Sequence, residues 1–262
     1  MERIRKAKLC CSIKKSCIHA SEIEFLGYHI SAKGISMSTT KVESIKSWPV
    51  PRNIKDVQAF LGFTKFYWRF IEGFSKVCKL LTDFTQKGRA FDWTSQCEEA
   101  FQLLKKVFTE GLILAHFEHE RNTRVETDAS DFALGAILSQ LCEDTKWHPI
   151  AFHSRKFTPA EVNYDVHDKE MTAIVVAFKE WEYLLMSMKD EVMVFTDNKN
   201  LEYFNSTKIL NRRQHRWAEF LQPFQFNIIY REERLNEKAD VLLRHQEKRF
   251  CRPLYSRPLL LI

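Results

Sequence analysis

Hydrophobic and polar positions along the 262-residue chain change their period near Leu112. From residue 38 to that point, apolar residues recur three or four positions apart, which is typical of amphipathic helices. After it, short strand-like runs alternate with longer helical stretches. The pattern divides the chain into a hairpin segment over residues 1–37, a helical unit over 38–111, a mixed unit over 112–246 and a tail over 247–262.

The first segment is predicted to hold one β-hairpin. Its two strand-like runs, Ile23–Leu26 and Tyr28–Ile30, lie on either side of Gly27. Lys33 and Gly34 follow as a turn signal. We interpret the segment as an ordinary edge hairpin.

Four helices are predicted within residues 38–111. The first begins at a capping-box pattern, Thr40 to Glu43, and ends before Pro49. Asn53 is predicted to cap the second helix, and Ser95 is predicted to cap the fourth. The third and fourth helices each carry an apolar stripe. These stripes are Val77, Leu80, Leu81 and Phe84, and then Cys97, Phe101, Leu104 and Phe108.

The mixed unit is predicted to contain five strands in the order βββαβααβα. The strands are Val125–Thr127, Leu134–Gln140, Pro149–Ser154, Val192–Phe195 and Phe226–Tyr230. Thr158 to Glu161 is a helix-start signal, and the main helix that follows carries an apolar face. That face comprises Met171, Ile174, Val175, Phe178, Trp181 and Leu185. Later helices are predicted at Asn200–Asn205, Asn211–Phe224 and Lys238–His245. This alternation of strands and helices indicates an α/β (α+β) fold.

Composition narrows the classes of protein that the chain can represent. The net charge of +6 and a sequence pI near 8.9 are compatible with a polyanionic partner. The seven cysteines form no Cys-x-x-Cys pair, so we expect a reduced, intracellular chain in the cytoplasm or nucleus. No apolar stretch approaches the ~20 residues that span a bilayer. The start, residues 1–5, lacks the hydrophobic region of a secretory signal, so we expect neither a membrane protein nor a secreted one.

Four carboxylates carry the candidate chemistry: Asp128, Glu170, Asp197 and Asp240. Asp128 and Asp197 each end a strand-like run, Glu170 lies early in the main helix, and Asp240 lies in the last helix. Taken singly, each acid is more often a solvated surface residue. The ordered set of strand and helix acids instead favours a site for two divalent cations, which lie roughly 4 Å apart and need several carboxylates.

A series of short sequence motifs surrounds these acids. In residues 122–246 they are Thr127-Asp128-Ala129-Ser130, Gly135-Ala136-Ile137-Leu138-Ser139-Gln140, Ala151-Phe152-His153-Ser154-Arg155-Lys156, Tyr164-Asp165-Val166-His167-Asp168-Lys169-Glu170, Thr196-Asp197-Asn198-Lys199-Asn200-Leu201, and Asn211-Arg212-Arg213-Gln214 leading to Arg216-Trp217. In these motifs the segment resembles the ribonuclease H domain of a reverse transcriptase from gypsy-type LTR retrotransposons. Residues 22–117 resemble the end of the palm and the thumb of the same polyprotein. The motifs there are Glu24-Phe25-Leu26-Gly27-Tyr28, Trp48-Pro49-Val50-Pro51, Phe60-Leu61-Gly62-Phe63 and Phe66-Tyr67-Trp68-Arg69-Phe70-Ile71.

The resemblance implies a ribonuclease H-like fold, in which helices flank a mixed five-stranded sheet. A small helical thumb and a β-hairpin remnant of the palm would precede it. It also implies endonucleolytic hydrolysis of the RNA strand of RNA–DNA hybrids. The implied cofactor is a pair of Mg²⁺ (or Mn²⁺) ions, because both are hard cations that prefer carboxylate, water and phosphate oxygens. The implied ligands and catalytic residues are Asp128, Glu170, Asp197 and Asp240.

An RNA–DNA hybrid is the implied partner, and a choice of RNA over DNA at the scissile strand requires contacts to its 2′-hydroxyl groups. Backbone amides and polar side chains near Ser130, Gly135 and Asn198 are the candidates for these contacts.

Basic residues supply the candidates for phosphate contacts. Arg212, Arg213 and Arg216 lie about one helical turn apart and are predicted to form a basic ridge. The alternative is a plain solvated helix face. For Lys65 and Arg69, in the thumb-like unit, a phosphate contact and a solvated face stay equally open.

Polymerase chemistry is not expected from this chain. Reverse transcriptases of this class need a motif with two adjacent Asp residues to bind the two metal ions of the polymerase site. The sequence has no adjacent Asp pair. The missing polymerase portion of the parent polyprotein is expected to precede Met1.

Departures from the family pattern keep alternatives open. At the last acid, the family usually has a motif like Asp-Ala-Leu-Ser-Arg, and this chain has Asp240-Val241-Leu242-Leu243-Arg244. In the preceding turn, the family usually has Pro-Gly, and this chain has Glu232-Glu233. The runner-up hypothesis is therefore a non-catalytic nucleic-acid-binding relic or a co-opted domain. A misfolding fragment with unpaired strand edges comes third. An integrase-type nuclease ranks low, because it would lack the Asn-Lys-Asn-Leu and Asn-Arg-Arg-Gln motifs.

Overall fold

The computed structural model describes residues 2–8, 10, 12, 16–17, 19–71, 73–83, 85–86, 91–110, 113–201 and 210–231. Several predicted features lie outside these residues. They are Asp240, the last helix, the tail over 247–262, and residues 202–205 of the short helix after the fourth strand of the mixed unit. Among the residues that the structure does describe, no helix is both long and apolar enough to cross a lipid bilayer.

A short helix, α1 (Glu2–Lys6), precedes an antiparallel three-stranded sheet. Its strands are β1 (Glu22–Phe25), β2 (Tyr28–Ser31) and β3 (Gly34–Met37). The predicted hairpin is therefore correct but incomplete, since the turn at Gly34 opens a third strand. Gly34 has φ +134°, and a Cβ there would lie 2.2 Å from the carbonyl oxygen of Leu114. The backbone of Leu114 pairs with Ile35, so a contact distant in sequence holds this strand.

Helices and short turns follow over residues 39–109. They are α2 (Thr39–Lys46), α3 (Ile54–Phe66), a 3₁₀ turn (Trp68–Phe70), α4 (Phe74–Val77), α5 (Lys79–Asp83) and α6 (Ser95–Thr109). Asn53 caps α3 as predicted, because its side chain accepts a hydrogen bond from the Asp56 backbone N–H. Two other predicted starts are wrong by one or two residues. The cap of α2 is Ser38 rather than Thr40, and that of α6 is Thr94 rather than Ser95.

The second sheet has five strands and is mixed, as predicted. Its strands are β4 (Thr123–Ala129), β5 (Ala133–Leu141), β6 (Trp147–Lys156), β7 (Val192–Thr196) and β8 (Phe226–Tyr230), arranged in the order β6-β5-β4-β7-β8. The first three strands are antiparallel, whereas β4, β7 and β8 run parallel. The carboxyl ends of β4 and β7 therefore lie side by side at one edge of the sheet.

The helices of this unit are α7 (Pro159–Val162), α8 (Val166–Glu180), α9 (Glu182–Leu185) and α10 (Arg212–Leu221). Thr158 and Glu161 form the predicted capping box of α7. The predicted apolar face of α8 is confirmed, because its residues are buried against the sheet. Met171, Ile174, Val175 and Phe178 lie in α8, whereas the buried Trp181 and Leu185, predicted on the same helix, lie at its C-cap and in α9.

The helical unit packs on the five-stranded sheet. Its buried aromatic residues Phe60 and Phe101 share one hydrophobic cluster with Ile137 of β5 and Phe152 of β6. The division of the chain near residue 111 stays a prediction, because this shared core crosses it. The packing brings α4 beside the end of β4, which decides the surroundings of the candidate site.

Candidate functional site

Three of the four predicted acids meet at the carboxyl edge of the five-stranded sheet. Asp128 lies near the end of β4, and Asp197 directly follows β7, its parallel neighbour. Glu170 lies in the second turn of α8, which packs against β4. One carboxylate oxygen from each residue lies within 4.8 Å of the other two. The structure thus brings together acids that are separated by 27 to 69 positions in the chain.

Glu170 is the most constrained of the three carboxylates. Its residue is 3% exposed, and its Oε1 accepts a hydrogen bond of 3.2 Å from the Ala129 backbone N–H. Its Oε2 is buried without a hydrogen-bond partner. Burial raises the pKa of Glu170 well above its usual value, and repulsion from Asp197 and Asp128 raises it further. A buried carboxylate that has one unsatisfied oxygen and two other acids nearby fits a divalent cation, which supplies the missing positive charge.

Glu126 shows the contrasting case of a buried acid that is already neutralised. It lies on β4 two residues before Asp128 and is 3% exposed. The guanidinium of Arg231 lies 2.8 Å from one carboxylate oxygen, and that of Arg124 lies 3.2 Å from the other. Two cations therefore satisfy Glu126, and it is not a candidate metal ligand.

Lys76 is a site residue that the sequence reasoning missed. It lies in α4 of the helical unit, and its ammonium forms an ion pair with the carboxylate of Asp128. The side chain of Lys76 is 5% exposed and that of Asp128 is 15% exposed. Because 52 positions separate the two residues, no local pattern could have signalled their contact.

The residues predicted to contact a 2′-hydroxyl group lie next to these acids. Gly135 pairs with Asp128 across the sheet, and nothing lies within 4 Å of the position where its Cβ would be. The hydroxyl of Ser130 donates to the Ala133 carbonyl at 2.9 Å and is occupied in the turn between β4 and β5. Asn198 follows Asp197, and its Oδ1 accepts from the backbone N–H of Asn200 at 3.1 Å.

The structure separates the three arginines of the predicted basic ridge. Arg212 and Arg216 are exposed on α10. Arg213 instead pairs with the buried carboxylate of Asp168, and its guanidinium lies 3.8 Å from the centre of the Tyr164 ring. These contacts join α10 to the start of α8. Arg213 therefore has a structural partner, whereas its two neighbours face solvent.

Lys65 and Arg69 also differ. Lys65 is exposed on α3. Arg69 pairs with Glu180 at the end of α8 at 3.0 Å, so it links the helical unit to the five-stranded unit. Beside it, the buried His153 ring packs edge-to-face on Trp68. Burial lowers the pKa of His153, which favours the neutral ring within the contact between the two units.

Comparisons with known proteins bear on the family of this chain. Residues 118–224 match the family model described as an RNase H-like domain found in reverse transcriptase. The Transposon Tf2-3 and Tf2-4 polyproteins of Schizosaccharomyces pombe are each 35% identical to the chain over 246 residues. That match covers 93% of this chain, and the chain spans 18% of the length of each polyprotein.

Solved structures show the same fold. A foamy viral protease-reverse transcriptase in complex with double-stranded DNA superposes with a TM-score of 0.67 at 22% identity, covering 88% of this chain and 41% of that one. A structure of the foamy viral protease-reverse transcriptase with an RNA/DNA hybrid gives a TM-score of 0.66 at 21% identity, covering 96% and 33%. The five-stranded sheet with its flanking helices is thus a ribonuclease H-like fold. The chain belongs to the reverse transcriptase and ribonuclease H family of retrotransposon polyproteins.

Proposed function

We propose that this chain is a metal-dependent ribonuclease H that hydrolyses the RNA strand of RNA–DNA hybrids. The observation that carries the proposal is the convergence of Asp128, Glu170 and Asp197, with their oxygens within 4.8 Å of one another. RNase H-like domains generally use divalent metals, and carboxylates are the ligands that Mg²⁺ and Mn²⁺ prefer. Asp240 completes the proposed set of four ligands and lies outside the described residues.

Each residue of the cluster has a distinct task in this proposal. The Ala129 N–H holds Oε1 of Glu170 and leaves the buried Oε2 without a hydrogen-bond partner, so Oε2 is the oxygen proposed to bind a cation. Asp128 and Asp197 present oxygens from the ends of two parallel strands, whose backbone pairing holds them rigidly. Two bound cations would supply an activated water for in-line attack on phosphorus and would stabilise the leaving 3′ oxygen.

The substrate strand is proposed to pass near Gly135. Gly135 pairs with Asp128 across the sheet, so a strand at this position lies next to the carboxylates. A foamy viral relative of the same fold has been solved with an RNA/DNA hybrid, which supports this class of substrate. Arg212 and Arg216 are the proposed phosphate contacts on α10, since both are exposed. The absence of an adjacent Asp pair supports a chain without polymerase activity.

One observation favours a second candidate, a non-catalytic binder of nucleic acid. The ion pair between Lys76 and Asp128 satisfies one carboxylate of the cluster without any divalent cation. A protein of this kind would bind hybrid through its basic surface and leave it intact.

A cleavage assay separates the two functions. A hybrid with labelled RNA is incubated with the protein and Mg²⁺, with EDTA, or with a variant carrying Asp197→Asn. Asp131→Asn is the matched control, because the side chain of Asp131 is 98% exposed. We expect cleavage by wild type and Asp131→Asn only, and only with free Mg²⁺. Binding without cleavage under all conditions would overturn the nuclease and favour the binder, and incorporation of nucleotides on a primed template would contradict the absence of polymerase activity.

A further inference from the structure

We propose that Lys76 competes with the divalent cation for Asp128. The ammonium of Lys76 neutralises the carboxylate of Asp128 and must leave it before the carboxylate cluster can bind a metal ion. The inference rests on the proposed function, since it concerns the same carboxylates. It assigns a regulatory contact to the helical unit that packs beside them.

The position of Lys76 is not that of a surface lysine. Its side chain is almost fully buried and ends at Asp128. The cavity that Lys76 and Asp128 line with Gly73 and Gly135 has a volume of about 10 Å³. That volume holds roughly one water molecule, so the ammonium of Lys76 is closely packed on this side of Asp128.

A backbone contact of α4 next to Lys76 holds it in this position. The backbone N–H of Ser75 donates to the Ser154 hydroxyl of β6 at 3.2 Å. Lys79, one turn further along, makes a different contact, since its ammonium lies 3.9 Å from the centre of the Phe132 ring. The approach of Lys76 to the acids therefore follows from the docking of the helical unit on the sheet.

Charge explains why the two cations compete. The three carboxylates carry up to three negative charges within 4.8 Å, and one ammonium offsets a single one of them. A divalent cation brings twice that charge and coordinates several oxygens at once. Its binding is opposed by repulsion from the ammonium and by the loss of the Asp128 ion pair.

The first test compares Mn²⁺ binding by the full-length wild type, Lys76→Met and Lys79→Met using calorimetry. Methionine keeps the length and apolar character of the side chain and removes the charge. We expect Lys76→Met to bind Mn²⁺ on the order of tenfold more tightly than wild type, and the matched control Lys79→Met to bind like wild type. Equal or weaker binding by Lys76→Met would overturn the inference.

The second test needs no variant and decides the question if Lys76→Met does not fold. Wild-type protein is acetylated briefly with and without saturating Mn²⁺, and each lysine is quantified by mass spectrometry. We expect Mn²⁺ to increase the labelling of Lys76 several-fold while Lys79 stays unchanged as the internal reference. Unchanged labelling of Lys76 would refute its displacement.

Hybrid cleavage by the same proteins keeps the two proposals apart. Tighter Mn²⁺ binding by Lys76→Met without cleavage by any form would support the competitor and overturn the nuclease. Cleavage by wild type and Lys76→Met with identical Mn²⁺ affinity would support the nuclease and overturn the competitor.

Discussion

Replacement of Arg213 by alanine tests whether this residue of the predicted basic ridge stabilises the folded protein or binds the phosphates of the substrate. Its guanidinium is the ion-pair partner of Asp168, whose side chain is 6% exposed, and it also stacks on Tyr164. Removal of one partner from a buried ion pair costs about 3–5 kcal/mol. Gln214 still donates to Asp168 at 3.0 Å, and the Arg213 side chain is 35% exposed, so both reduce the cost. We expect the free energy of unfolding to fall by about 2–3 kcal/mol.

The assay is urea unfolding followed by tryptophan fluorescence, with Arg216→Ala as the matched control. Arg216 lies on the same helix and is exposed, so its replacement should change the free energy of unfolding by less than about 0.5 kcal/mol. Equal stabilities of the two variants would refute the assignment of Arg213 to the contact between α8 and α10. If the Arg213→Ala protein were as stable as wild type but bound hybrid more weakly, Arg213 would be assigned to the phosphate-binding surface.

Three further predictions follow from the site. Asp197→Asn should abolish Mn²⁺ binding at the cluster while leaving circular dichroism unchanged, and near wild-type binding would remove Asp197 from the metal ligands. Because burial and repulsion raise the pKa of Glu170 in the folded state, the metal-free protein should lose stability as pH rises from the unfolded value of about 4.3 through the raised folded pKa. Glu170→Gln should remove this loss in urea titrations, and an unchanged pH profile would contradict it. Joint replacement of Arg212 and Arg216 by alanine should reduce the slope of log affinity against log salt by about one to two units, and an unchanged slope would return both to a solvated face.

Much of the local structure could be predicted because its causes lie within a few residues. Asn53 and Thr158 cap helices through hydrogen bonds to backbone groups three residues away, so residue type and spacing suffice. The apolar face of α8 follows in the same way from helical periodicity. The two starts that were misplaced, at Thr40 and Ser95, lie beside a second residue able to cap, and the sequence offers no basis for choosing between neighbours.

The candidate acids could also be predicted from the chain alone. A carboxylate that ends a strand-like run lies at the edge of a sheet wherever the strand is placed. Asp128 and Asp197 are such residues, and the helical position of Glu170 follows from its periodic neighbours. What the sequence could not supply is the electrostatic state of these groups, since burial of Glu170 depends on how α8 packs against β4.

The tertiary structure alone decided which charges meet. Lys76 reaches Asp128 across 52 positions, Arg213 reaches Asp168 across 45, and Arg69 pairs with Glu180 across 111. A basic residue on an exposed helix face and one that pairs with a buried acid have the same local pattern. Only the docking of one element on another selects the partner, because ion pairing depends on distance in space and is independent of separation along the chain.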